Sequence, residues 1–173
     1  KKKIYLNAIV HFNGMQVFNS VNNIKKEIFE KIFIANCYTF LEILKITKNP
    51  ELIKNLYSIV TISSVASSKG NKGISLYSSS KSALDNIVKS AALELSKKKI
   101  RVNSIVLGHI NKGMGNRVSK FLNSDQIEYL KEQHPLGFGD SKDLYNSINF
   151  LIDKHKSRWI TGTNLIVDGG YLI

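Results

Sequence analysis

Tyr77 and Lys81 stand four residues apart in a segment with helical patterning. On a helix that spacing puts them on one face, about one turn apart. An ammonium beside a phenol favours the phenolate, so the pair predicts a tyrosine with a lowered pKa. Such a tyrosine can give or take a proton near neutral pH. On spacing alone the pair also fits an ordinary solvated helix turn. Ser64 adds context. It closes a short apolar run at residues 57–62, thirteen positions before Tyr77. The end of a parallel strand is where open α/β sheets hold ligands. A hydroxyl there can bond a substrate oxygen beside the phenol; the plainer alternative is a cap on the following loop.

The elements that would position these groups are read from hydropathy. Residues 4–10 pattern as a strand ending at the turn signal Asn13-Gly14. Residues 24–45 pattern as a helix, with Asn22 and Asn23 as caps and Asn49-Pro50 as its stop. From Ile28 to Leu44 this helix is apolar on nearly every side, which predicts cover by its own core and by a second subunit. Residues 57–62 and 100–107 read as buried strands. Between them a Ser/Gly/Lys-rich loop at 63–73 leads to a long helix at 75–97. A glycine-rich loop follows at 108–117. Ser124 or Asp125 opens a helix to Glu132, and Asp140 or Ser141 caps another to Asp153. Residues 165–167 make a last strand before Asp168-Gly169-Gly170. Strands alternating with helices predict an α/β fold with a parallel sheet, in one domain over residues 1–173.

Composition narrows the function classes. An apolar fraction of 43% with 22% charged residues excludes wholesale disorder. No apolar run reaches the roughly 18 residues of a membrane span. Cys37 is the single cysteine, so neither an internal disulfide nor a cysteine-based zinc site can form within the chain. The first residues carry no apolar signal-peptide core, and the expected location is cytoplasmic. The net charge of +12 raises a nucleic-acid or acidic-membrane partner. Against it, 22 of the 25 basic residues are lysines scattered along the chain, and arginine does most bidentate base reading. The charge reads as a lysine bias, with no nucleic-acid and no membrane partner. It would also favour a phosphate-bearing cofactor.

Several blocks occur in a telling order: Ile59-Val60-Thr61-Ile62-Ser63-Ser64, then Tyr77-Ser78-Ser79-Ser80-Lys81-Ser82-Ala83. Ile100-Arg101-Val102-Asn103-Ser104-Ile105 follows, then Ile160-Thr161-Gly162 and Val167-Asp168-Gly169-Gly170. Together they resemble the short-chain dehydrogenases/reductases, most of all the 3-oxoacyl-[acyl-carrier-protein] reductase-like members. The resemblance implies a Rossmann-like doubly wound sheet in an α/β/α sandwich. It implies an NAD- or NADP-dependent oxidoreductase interconverting a small-molecule carbonyl and alcohol, working as a homodimer or homotetramer. By that resemblance Tyr77 exchanges the proton, Lys81 lowers its pKa and binds the nicotinamide ribose, and Ser64 orients the substrate oxygen. Asn36, inside an apolar helix face, matches the asparagine that holds a water of a proton relay. The implied cofactor contacts are Asn13, Gly14, Ile62, Tyr77, Lys81, Gly108, Ile110 and Lys112.

The chain departs from the family pattern on the cofactor side. No G-x-x-x-G-x-G phosphate turn occurs in it. Counted in family strands, residues 4–10 are the fourth, so the expectation is a domain incomplete at its N-terminus, lacking about three βα units. Asn-Asn-Ala-Gly appears as His11-Phe12-Asn13-Gly14, and Pro-Gly as Leu107-Gly108. Lys112 stands where the family has a threonine. A second reading therefore stands beside the enzyme: a non-catalytic remnant serving as an oligomerisation or binding module. Phe121, Leu122, Tyr129 and Leu130 give the segment 108–136 an apolar face, which hints at a partly apolar substrate. His109 and His134 can line the site or merely sit in loops.

Overall fold

The computed structural model describes residues 5–113, 115 and 122–173. Four strands pair in parallel in the order β1-β2-β3-β4: Ala8–His11, Ser58–Ser64, Arg101–Leu107 and Asn164–Val167. Val10 stands beside Val60, Ile62 beside Ile105, and Val106 beside Ile166. The expected parallel α/β fold is present. β1 begins later than residues 4–10 suggested; Lys1–Lys3 and Ile4 lie outside the described residues.

The strands carry apolar residues on both faces because helices cover both faces. On one side Ile59 and Val102 pack against Phe40 and against Leu84, Val88 and Leu95 of α4 (Ser75–Ser96). On the other, Val60 and Ile105 meet Ile148 and Leu151 of α6 (Ser141–Ile152). Leu84, Val88 and Leu151 are fully buried. Each such side chain stabilises the fold by about 1.5–3 kcal/mol. α4 closes through Lys99, which takes the left-handed conformation at φ 59.

The stretch expected as one helix at 24–45 is broken. α1 (Lys26–Phe33) and α2 (Thr39–Leu44) flank a π turn at Ile34–Tyr38, and a 3-10 turn follows at Lys45–Lys48. The π turn contains buried Asn36, whose amide bonds outside the helix; such bulges cluster at functional places. Asn22 and Asn23 are not caps: they lie in the 3-10 turn Val21–Asn23, and Lys25 precedes α1 without a side-chain bond. Ile32, Cys37 and Phe40 face the core, whereas Phe29, Ile34, Tyr38 and Leu41 are exposed. Asn49 caps a short helix, α3 (Pro50–Ile53), that the hydropathy reading passed over.

Two capping boxes order the C-terminal half. Asn123, rather than Ser124 or Asp125, exchanges bonds with Gln126 to open α5 (Ser124–Glu132), and Asp140 does so with Asp143 to open α6. Among the described residues no helix is long and apolar enough to cross a membrane.

Candidate active site

The carboxyl ends of β2 and β3 open into a cleft of about 580 Å³. Its first side comes from β2, the following turn and α4: Ile62, Ser64, Tyr77 and Lys81 all line it. α4 places Tyr77 and Lys81 one turn apart, as their spacing required, and both are buried. The Lys81 ammonium donates to the Ile62 carbonyl at 2.8 Å and lies 5.8 Å from the centre of the Tyr77 ring. Ser64 ends β2, and its hydroxyl accepts from the Ala66 amide at 3.2 Å. It caps the turn and faces the cleft at once.

The electrostatics differ from the sequence reading. Burial pushes the Tyr77 phenol up, and its hydrogen-bond partner Ser64 only partly pulls it back. The expected lowering by Lys81 does not prevail, because desolvation penalises the phenolate first. The same burial pulls Lys81 down to about 8, with Asp85 opposing. At neutral pH the lysine is charged and the tyrosine carries its proton.

Asn36 does not line the cleft; it braces it. Its Oδ1 accepts from the Met15 amide at 2.6 Å, and its Nδ2 donates to the Met15 carbonyl at 2.9 Å and to Ser80 Oγ at 2.8 Å. Ser80 Oγ in turn donates to the Tyr77 carbonyl at 2.8 Å. The residue ties segment 14–15 to the first turns of α4. Gly14 lines the cleft, and a Cβ there would stand 3.3 Å from Lys81 Nζ. Asn13 is exposed and is not among the lining residues.

The second side follows β3. Gly108, His109, Ile110 and Lys112 line it, joined by Leu122, Leu130, His134 and Tyr171. Gly108 is held by close approach: a Cβ would fall 2.7 Å from Asp168 Cα. Burial lowers His109, and nearby His134 adds to this. Phe121 lies outside the described residues.

Three residues of this region escaped the sequence reading. Asp85 continues the Tyr77–Lys81 stripe by one more turn and accepts from Ser104 Oγ at 3.0 Å; extending the spacing of four would have found it. Ser63 Oγ is buried beside the cleft with no partner among the described residues. His11 is buried, with Nε2 3.1 Å from Thr39 Oγ1 and Nδ1 2.9 Å from Thr61 Oγ1. The Thr39 hydroxyl already donates to the Ala35 carbonyl, so Nε2 carries the proton and Nδ1 accepts from Thr61. Burial, reinforced by Lys81, holds His11 down at about 4. No group of three metal-binding side chains occurs among the described residues.

Residues 2–172 match the family model described as enoyl-(acyl carrier protein) reductase. The chain belongs to the short-chain dehydrogenase/reductase family. Among relatives, it is 34% identical over 149 residues to pig (Sus scrofa) carbonyl reductase [NADPH] 2, covering 85% of this chain and 60% of that one. It is 44% identical over 114 residues to the 3-oxoacyl-[acyl-carrier-protein] reductase of Bos taurus, covering 65% and 44%. The chain thus spans less than two thirds of both relatives. Among solved structures, a 4-hydroxyisoleucine dehydrogenase complexed with NADH superposes with a TM-score of 0.86 at 27% identity, covering 96% of this chain and 68% of that one.

Proposed function

We propose that the protein is an NAD- or NADP-dependent oxidoreductase that interconverts a small-molecule carbonyl and a secondary alcohol. One observation carries the reading: a buried phenol, a buried ammonium and a serine hydroxyl converge on one cleft at the carboxyl end of a parallel sheet. The dinucleotide named with the relatives fits this chain in part. Lys81 is a buried three-proton donor facing the cleft, and among the described residues its one hydrogen-bond acceptor is the Ile62 carbonyl. Hydroxyls of a ribose suit its other protons. Gly14, Ile62, Gly108, Ile110 and Lys112 would border the nicotinamide end, with Asn13 at the margin. When bound, the nicotinamide supplies or accepts the hydride.

This chain's residues then handle the proton. In reduction Tyr77 donates its phenolic proton to the substrate oxygen. The Lys81 charge stabilises the phenolate that results, and removal of water from this buried site strengthens that attraction. Ser64 donates to the same substrate oxygen and holds it beside the phenol. Asn36 keeps segment 14–15 and the start of α4 in register, which holds Tyr77 and Lys81 in place.

The unit reads as the C-terminal portion of a doubly wound domain. The outer edge of β1 supports this, since Leu6, Ala8, Ile9, Ile43 and Ile46 border it as an apolar shelf suited to a further strand. The exposed stripe Phe29, Ile34, Tyr38 and Leu41 supports assembly as a homodimer or homotetramer. The test uses the protein at its full natural length. NADH and NADPH oxidation is followed with acetoacetyl-N-acetylcysteamine, and cofactor binding by calorimetry. Turnover that Tyr77→Phe lowers by about 10²–10⁴ supports the enzyme. Absence of both binding and turnover favours the non-catalytic module.

A further inference from the structure

His134 takes no part in the proton path, yet it is one of the most constrained side chains of the cleft. It is buried, and both ring nitrogens are engaged. Nδ1 lies 2.7 Å from the Leu130 carbonyl, which can only accept, so Nδ1 carries the proton. Nε2 accepts from the His109 backbone amide at 3.3 Å. The ring stacks on Tyr171, with centroids 4.7 Å apart and planes 29° apart, and meets Phe138 edge-on at 5.3 Å. Tyr171 has further partners: Lys69 Nζ lies 4.2 Å from the centre of its ring, and Asn71 Nδ2 donates to its hydroxyl at 3.4 Å.

Three separate pieces of chain meet on this one imidazole: the turn after β3 through His109, the end of α5 through Leu130 and the C-terminal turn through Tyr171, which in turn holds Lys69 and Asn71 of the turn after β2. His109, Leu130 and Tyr171 all line the cleft. We infer that His134 is a positioning residue that pins the second side of the cleft, fixing where the substrate rests against Tyr77. The inference rests on the oxidoreductase reading for its kinetic consequence, but not for its structural one.

Of the two hydrogen bonds, the Leu130 bond stays within one helix end, four residues away. The His109 bond crosses from α5 to the turn after β3. The second is the one that joins separate segments, so its loss should displace the wall. A residue that only supports folding would not distinguish the two.

Three substitutions in the protein at its full natural length separate these cases. His134→Phe keeps the ring stack and loses both bonds. His134→Gln reaches with its carbonyl oxygen to the place of Nε2 and can still accept from His109. His134→Asn keeps only a donor near Leu130. With acetoacetyl-N-acetylcysteamine as probe, His134→Phe and His134→Asn should each raise the substrate KM about tenfold, through the bond to His109 that both variants lack. The kcat and the cofactor KM should stay within about twofold, and His134→Gln should restore most of the substrate KM. Equal substrate KM in all four proteins would overturn the inference, as would losses confined to kcat.

A second measurement needs no turnover and no variant. Nitrogen NMR of the imidazoles should show the His134 proton on Nδ1, with Nε2 accepting. A proton on Nε2 removes the bond to His109 and ends the proposal even if the variants do not fold. If Tyr77→Phe leaves turnover intact while the Nδ1 signature is found, the oxidoreductase reading fails and the pin stands.

Discussion

On the β2–α4 side of the cleft, Tyr77 and Lys81 are buried and most polar groups are tied to regular structure, while the Ser63 hydroxyl has no partner among the described residues. Lys81 bonds the backbone of β2, Ser64 bonds the turn that β2 enters, and Asn36 and Ser80 bind α4 to segment 14–15. On the side that follows β3, the lining comes from turns, a short helix and the C-terminal residues, and Lys112 is exposed. Under the proposed oxidoreductase reading, the difference teaches how the labour is divided. Proton chemistry needs charges held in low dielectric at fixed distances, which a strand end and a 22-residue helix supply. Substrate fit needs a surface that can vary, which loops supply.

Four measurements press on that contrast. The largest effect belongs to Tyr77→Phe, which removes the only phenol at the centre of the first side. Turnover should fall by about 10²–10⁴ while circular dichroism and melting stay near the parent. A variant that retained parental turnover would remove the chemical role of that side.

Lys81→Met should separate function from stability. Activity falls by a comparable factor, yet the variant should be more stable at pH 7 by about 1–3 kcal/mol in urea titration, because a buried charge is gone. The sign follows from the lowered pKa. The unfolded lysine holds its proton up to about 10.5 and the folded one only to about 8. Parental stability therefore rises with pH between those values, and the advantage of the variant should shrink across the same window. An advantage independent of pH would mean that lost charge is not its source.

His11 gives an intermediate effect through stability alone. Folded, it stays neutral down to about 4, whereas the unfolded side chain takes a proton near 6.5. The unfolded state thus binds more protons between these values, and stability is lost as pH falls from 6.5 to 4, by about 1–3 kcal/mol. His11→Asn should flatten this limb in chemical denaturation at pH 7 and pH 4.5. An unchanged slope would place the acid sensitivity elsewhere.

The smallest effect is expected on the second side. Lys112→Thr removes an exposed charge, and exposed charges are worth about 0–1 kcal/mol. The cofactor KM should move by no more than about fivefold in steady-state kinetics. A hundredfold change would show that this side too holds an essential charge, and the contrast would collapse.

Much of the chemical side could be read from the letters alone. Tyr77 and Lys81 share a helix face because the helical repeat dictates it, and Ser64 ends a strand because a β-branched run stops there. Those relations are local, so the local sequence determined them. The tertiary structure decided everything that depends on distant chain. It raised the Tyr77 phenol instead of lowering it, since burial is set by what packs over a group. It broke the helix expected at 24–45 with a π turn, because Asn36 finds its partners in Met15 and Ser80, 21 and 44 positions away. It brought His109, Leu130 and Tyr171 onto His134 from three separate segments, which no spacing in the sequence announces. Hydrophobic period and helix repeat are properties of neighbours along the chain. Desolvation, long-range hydrogen bonds and the walls of a cleft belong to the fold, which alone brings those groups together.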